Sequence, residues 1–294
     1  MSATADISQL TESLCDELIR AMGLSPLNPI GRRVRPLFWR AAERFSRLFV
    51  NVDRLVMEGG LPAGARALLP HLVSRVDVEG ADCVPQSGPL VVAANHPGAT
   101  DSIVITSGLS RPDLKVIASA IPFLQQLPNV SRHLIFVPRG DMHGRMHVVR
   151  ESLRHLERGG ALLIFGRGRI DPDPAFMPGA EQTVRAWSRS LQIFLDHVPQ
   201  ARVLVTMVSG VLHPRFMRHP MTWLRSARED RQRLAMMAQI VEQMLGRKIG
   251  LVPRVVFGDL VSEQSAGGRE NILPTVIDSA RRMLTSQASA APRV

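Results

Sequence analysis

From residue 74 onward, short runs of β-branched and aliphatic residues alternate with longer stretches of helical periodicity, and no other feature restricts the fold so much. The runs SRVDVEG, PLVVAAN, LKVIASA, HLIFVPR, ALLIFG, VLVTMVSG and LVPRVVFGDL read as strands. Helical spacing covers 101–109, 144–157, 180–197, 226–246 and 269–286. Strands and helices taking turns in this way predict an α/β fold with a mixed, largely parallel sheet flanked by helices. At 294 residues the chain has material for one sizeable core plus a helical appendage.

The appendage is N-terminal. Residues 6–22 have the pattern of an amphipathic helix, and the Pro- and Arg-rich stretch GLSPLNPIGRRVRP reads as a joint after it. Next, in LFWRAAERFSRLFVNVDRLVM, Phe38, Ala41, Phe45, Leu48, Phe49, Val52 and Leu55 share one side, with Arg40, Arg44, Arg47 and Arg54 on the other. Such a helix has two uses: packing on its own domain's core, which is the commoner one, or lying at a bilayer interface. The expected organisation is a helical segment over 1–73 with possible interface contact, a catalytic domain over 74–260, and a C-terminal helix and tail over 261–294.

A formal net charge of +10 suits a polyanionic partner: nucleic acid, anionic lipid headgroups or an acidic carrier. Thirty-four of the 36 basic residues are arginine, so a compositional bias is an equally good source of the excess. Nucleic acid is the weakest of the three, because no reading motif is present and the chain has no Tyr for stacking. Cys15 and Cys83 stand in no metal or redox spacing. The N-terminus lacks the basic-then-apolar layout of a signal peptide, and the longest apolar runs, such as Val203–Leu212, fall short of the roughly 20 residues of a membrane span. A cytoplasmic protein is expected, held peripherally on the inner face of the cell membrane.

The chemistry concentrates in GPLVVAANHPGATDSIVITSGL. A buried strand, Leu90–Ala94, runs directly into Asn95 and His96, Pro97 and Gly98 shape a turn, and a helix begins near Asp101. An imidazole there sits at the rim of a sheet, where open α/β sheets bind ligands. In a straight helix His96 and Asp101 would not align, but a turn permits the carboxylate to fold back onto the ring. One ring nitrogen bonded to Asp101 would leave the other to take a proton from a substrate hydroxyl.

NHPGATD after a β-run resembles the His-x4-Asp signature of the glycerolipid acyltransferase family, the phospholipid and lysophospholipid acyltransferases. Phe136-Val137-Pro138-Arg139 is similar to the family's second block, which implies that Arg139 contacts a phosphate of the acceptor. GGALLIFGRGRIDPDPAFMPGA, residues 159–180, resembles the third block and the residues after it, and VLVTMVSG, residues 203–210, the fourth. The resemblance covers about residues 75–215. It implies O-acyl transfer with His96 as general base, a lysophospholipid or related acceptor, and acyl-CoA or acyl carrier protein as co-substrate, without a cofactor. Backbone N–H groups near 97–101 or around Gly168 would hold the oxyanion.

One block departs from the pattern. Where the family carries Pro-Glu-Gly-Thr-Arg, this chain has Gly166-Arg167-Gly168-Arg169-Ile170, so that only Gly168 matches in register. Arg139, Arg167 and Arg169 together would make a basic pocket for phosphate or carboxylate. The missing glutamate motivates an alternative, a catalytically inactive lipid-binding or scaffold protein on the same fold.

Asp171 and Asp173 in DPDP read as part of a proline-stiffened loop rather than a metal or acid/base pair. His143 and His147 are four apart, but no third ligand is evident and no metal site is expected. His133, His155, His213 and His219 read as structural or surface residues. No G-x-S-x-G elbow, P-loop or dinucleotide fingerprint is present.

Overall fold

The computed structural model describes residues 5–138, 142–188 and 190–290, apart from the side chains of 142–145, 190 and 287–290. The sheet has seven strands: β1 (Asp77–Glu79), β2 (Leu90–Ala94), β3 (Lys115–Ser119), β4 (Leu134–Val137), β5 (Ala161–Phe165), β6 (Arg202–Ser209) and β7 (Arg254–Val261). Their order is β1-β7-β6-β2-β5-β3-β4. All pairs are parallel except β6 with β7, which run antiparallel, so the expected mixed, largely parallel α/β sheet is present.

β2 lies at the centre, with Leu90 opposite Ala161 and Arg202, and Ala94 opposite Phe165 and Thr206. All five of its residues are buried. Successive side chains point to opposite faces, so Leu90, Val92 and Ala94 enter one core, with Leu163, Leu204 and Val208. Val91 and Ala93 enter a second, with Leu162, Ile164, Val203 and Val205. A sheet covered on both faces needs unbroken apolar strands, which is why this run does not alternate with polar residues.

The first core is roofed by α1 (Ile7–Ala21), α2 (Pro29–Leu68), α3 (Asp101–Gly108) and the helix Arg228–Met244. Leu10, Leu14, Ala41, Ala42, Val52 and Val56 are buried in it, and Phe38, Phe45, Leu48 and Phe49 pack against it. The aromatic side of α2 therefore packs on the sheet's own core, while Arg40, Arg44, Arg47 and Arg54 remain exposed. The second core is covered by the helices Met142–Glu157, Ala180–Arg185, Ser190–His197 and Ile272–Ala290.

Two sequence expectations are corrected. The Pro-rich joint is shorter than read, because Pro29 occupies the first turn of α2, Asn28 caps it by accepting from the Gly31 N–H at 2.6 Å, and Pro36 lies within the helix. The helix expected over 180–197 is two helices, because Trp187 turns inward onto Gly166 and the Ser188 N–H bonds the Gly166 carbonyl at 2.7 Å. A tertiary contact breaks a periodicity that is continuous in sequence.

α2 bends at Gly59 and Gly60. Gly60 has φ 70°, and a Cβ there would stand 2.4 Å from the Pro112 carbonyl oxygen, so only glycine fits. Before the bend, the buried Asp53 accepts from the Asn129 N–H (2.9 Å), Asn129 Nδ2 (2.8 Å) and the Val130 N–H (2.8 Å). The carboxylate satisfies the start of the short helix Pro128–Arg132 and ties α2 to the β3–β4 edge of the sheet.

Candidate active site

β2 delivers Asn95 to the rim of the sheet, where its amide exchanges two 2.8 Å hydrogen bonds with the Val208 backbone of β6. This side chain continues the ladder for one step after the strand has ended. The chain then turns, and His96 is placed with its side chain 27% exposed above a buried Asp101. Asp101 Oδ2 lies 2.7 Å from His96 Nδ1 and accepts from the Gly98 N–H at 3.1 Å, while Oδ1 accepts from the Ser102 N–H at 2.7 Å. The carboxylate thus orients the ring and caps the turn that carries it. Gly98 is required, since a Cβ there would lie 2.7 Å from a Val211 methyl.

The imidazole is held on a second side by Phe165 at the end of β5, stacked with ring centroids 4.2 Å apart and planes at 17°. With Nδ1 committed to Asp101, Nε2 is the nitrogen left for a substrate proton. Burial alone would lower the pKa of His96, but the charge and hydrogen bond of Asp101 and the charge of Asp171 outweigh it and raise the value above 6.5.

The loop after β5 supports this turn from below. The Asp171 Oδ2 accepts from the His96 N–H at 2.9 Å, and the Asp171 N–H donates to the His96 carbonyl at 2.8 Å. Asp173, wholly buried, accepts from the N–H groups of Ala175 (3.0 Å), Gly210 (2.8 Å) and Leu212 (3.1 Å). Burial raises its pKa against the pull of these donors. Gln232, also fully buried, donates from Nε2 to the carbonyls of Pro97 (2.9 Å) and Asp171 (2.7 Å). The DPDP segment is a clamp that locks loop, turn and the helix Arg228–Met244 together.

Arg167 belongs to the clamp. Its guanidinium bonds Asp171 Oδ1 (3.0 Å), Glu229 Oε1 (3.2 Å) and the Ile170 carbonyl, and its side chain is only 17% exposed. These bonds occupy most of its donors, which leaves little of it for a ligand. Arg169 and Gly168 are exposed, and the Gly168 N–H is bonded to the Phe165 carbonyl at 2.9 Å. The Gly98 and Gly168 N–H groups, both considered above for an oxyanion, therefore already have partners. Arg139 lies outside the described residues, as does the His143 side chain. The structure brings His96 and Asp101 together and, from the sequence-read pocket, places Arg167 beneath the turn.

Asp171 was legible only as part of a stiff loop, and Gln232 as one residue of an amphipathic helix. Neither carries a motif, because each acts through backbone groups distant in sequence. Among the described residues, no group of three or more metal-ligating side chains gathers. Burial pushes the Cys15 thiol up to about 11, an unreactive value.

Beside the His96–Asp101 turn an apolar groove of about 470 Å³ runs between α2, α3, the β3–β4 edge and the helix Arg228–Met244. Ala99 and Ser102, flanking Asp101, line it, and Phe45, Val56, Ile103, Phe123 and Met236 form its walls. A groove of this volume and so poor in polar groups fits a hydrocarbon chain. No helix among the described residues is long and apolar enough to cross a membrane.

Residues 75–199 match the family model described as Acyltransferase. No curated protein matches the chain. Among solved structures, the 1-acyl-sn-glycerophosphate acyltransferase PlsC from Thermotoga maritima is similar at 15% identity and a TM-score of 0.48, over 98% of each chain. The family match spans β2, the His96–Asp101 turn and β5, the segments that build the site, so that over residues 75–199 the chain is similar to the Acyltransferase family.

Proposed function

We propose that the chain transfers a fatty acyl group from acyl-CoA or acyl carrier protein to a hydroxyl of a lysophospholipid or related lipid, with His96 as general base. The observation that carries this reading is the 2.7 Å contact of His96 Nδ1 with a buried Asp101 beside an apolar groove. In the first step the acceptor O–H gives its proton to His96 Nε2 as the oxygen attacks the thioester carbonyl carbon. Asp101 keeps the tautomer and stabilises the imidazolium. Collapse of the tetrahedral intermediate breaks the C–S bond, and the imidazolium returns the proton to the thiolate, so the products are an ester and a free thiol. The donor's acyl chain lies in the groove, which keeps water from competing with the acceptor.

The exposed arginines of α2 draw the enzyme to the anionic inner face of the cell membrane, where the lipid acceptor resides. No metal or other cofactor enters these steps. The test is transfer from radiolabelled acyl-CoA and acyl carrier protein to a mixed lipid extract, with His96→Ala run beside the parent protein. Labelled ester lost in the variant supports the reading and identifies the acceptor by mass. Equal labelling of both proteins, or none with either donor from folded, membrane-bound protein, would replace it with an inactive lipid-binding role.

A further inference from the structure

We propose that the turn Pro220–Leu224 is a bilayer-docking knuckle, seating Trp223 and Leu224 among the headgroups of an anionic phospholipid membrane. Trp223 is 69% and Leu224 78% exposed. Two adjacent large apolar side chains held in water mark a contact surface more often than a random exposure, and Trp favours the membrane–water interface.

The turn is built to hold them there. Thr222, between Met221 and Trp223, is 1% exposed, and its hydroxyl lies 3.0 Å from the Met217 carbonyl and 2.8 Å from the His219 carbonyl. His219 Nδ1 caps the turn by accepting from the Met221 N–H at 3.3 Å, and Phe216 is buried beneath. The side chains are thus presented on a braced backbone, so docking need not first order a loose loop.

Charge complementarity names the partner. Residues 214–228 hold Arg215, Arg218, Arg225 and Arg228 and neither Asp nor Glu. Arg215 is paired with Glu242, whereas Arg218 and Arg225 are exposed on either side of the knuckle. Arg225 also reaches Gly23, a Cβ on which would stand 3.1 Å from its Nη2. Gly23 opens the turn into α2, where Leu27 and Ile30 are 78% and 58% exposed beside Arg32 and Arg33. Two segments far apart in sequence meet at one corner, each with apolar tips and arginines, a pattern that suits acyl chains below and anionic headgroups around.

Four residues after Leu224 begins the helix whose Gln232 bonds the carbonyls of Pro97 and Asp171 and whose Met236, Met237 and Ile240 line the groove. Docking at the knuckle would thus anchor the membrane-side end of the helix that forms one wall of the groove. The inference rests on the groove being a lipid site, but its test does not require turnover.

Full-length protein is sedimented with vesicles of phosphatidylcholine containing about 30% phosphatidylglycerol, and with pure phosphatidylcholine vesicles, as the anionic and neutral surfaces. The double variant Trp223→Ser/Leu224→Ser should bind the anionic vesicles roughly tenfold more weakly, with an unchanged thermal midpoint because both side chains are exposed. Arg218→Gln/Arg225→Gln should erase most of the preference for anionic over neutral vesicles. Binding by the Ser variant equal to that of the parent would overturn the proposal. So would a parent protein that dimerises in sedimentation velocity while the Ser variant is monomeric, since the surface would then belong to a second copy. Weakened vesicle binding with full transfer to a short-chain, monomeric acceptor would support it, and absence of turnover in every protein would bear on the catalytic reading alone.

Discussion

The turn from Asn95 to Ser102 and the loop from Gly166 to Asp173 both reach His96, but they hold different parts of it. The turn holds the ring, through a carboxylate five residues away on the same short stretch of chain. The loop holds the peptide, through Asp171, 75 residues away, whose carboxylate accepts from the His96 N–H and whose own N–H donates to the His96 carbonyl. The first contact sets the chemistry of the imidazole and the second sets where the imidazole stands. A catalytic group is only as good as its position, since a displacement of about 1 Å can cost on the order of 100-fold in rate.

Substitutions that separate these roles test the comparison, beginning with the largest effect. Asp101→Asn keeps the shape but removes the charge behind Nδ1, and kcat should fall by about 10³-fold or more with acyl transfer as readout. The thermal midpoint should fall as well, because the amide can accept from only one of the Gly98 and Ser102 N–H groups. A loss below about tenfold would mean that Asp101 serves the turn and not the ring.

Asp171→Ala deletes the acceptor of the His96 N–H and strands Arg167 beside Glu229. Chemical denaturation should show about 3 kcal/mol of lost stability, and kcat should fall on the order of 10- to 100-fold. Unchanged stability with fully lost activity would make Asp171 a catalytic group and erase the distinction between the two loops.

The proposed role of His96 as base predicts a pH dependence. A general base at His96 must be neutral to act, so under that proposal kcat/KM should rise about tenfold per pH unit on the acid side, with its midpoint above 6.5. The sign for stability is opposite: a pKa raised on folding means that the protonated ring stabilises the fold below the unfolded value, and that contribution disappears as pH rises through the folded value. Thermal midpoints of the parent and His96→Ala should therefore converge with rising pH across this window. In Asp101→Asn the residual activity should titrate at a lower pH, having lost its largest favourable neighbour.

The smallest effect on specificity is expected at Arg167. Reversing it to Glu puts a carboxylate against Asp171 and Glu229, costing about 2–4 kcal/mol of stability in denaturant, yet the acceptor profile should be unchanged. A new acceptor preference in a protein of parental stability would return Arg167 to the substrate pocket and reduce the clamp to Asp171, Asp173 and Gln232.

The strands were legible because each is a run of apolar residues bounded by turns, and the structure has a strand overlapping each of the seven runs, β6 and β7 reaching one residue beyond theirs. The His96–Asp101 pair was legible for a related reason: a strand end, a Pro-Gly turn and a helix start fit within a dozen residues. What escaped was relational. Nothing in 180–197 announces that Trp187 will turn onto Gly166, and nothing in Gln232 announces the carbonyls of Pro97 and Asp171. Arg167 looked like a ligand-binding residue because its two carboxylate partners, Asp171 and Glu229, were not visible as neighbours.

By itself, then, the amino-acid sequence determined the layered α/β plan, the apolar central strand and the His-x4-Asp turn, all of which depend on periodicity and on bonds spanning only a few residues. Tertiary structure alone decided that α2 turns its aromatic side to the core, that DPDP becomes a buried clamp, and that Trp223 and Leu224 stand in solvent on a braced turn. The physical reason is that a buried carboxylate or an exposed indole is defined by what surrounds it, and those surroundings come from segments tens of residues away.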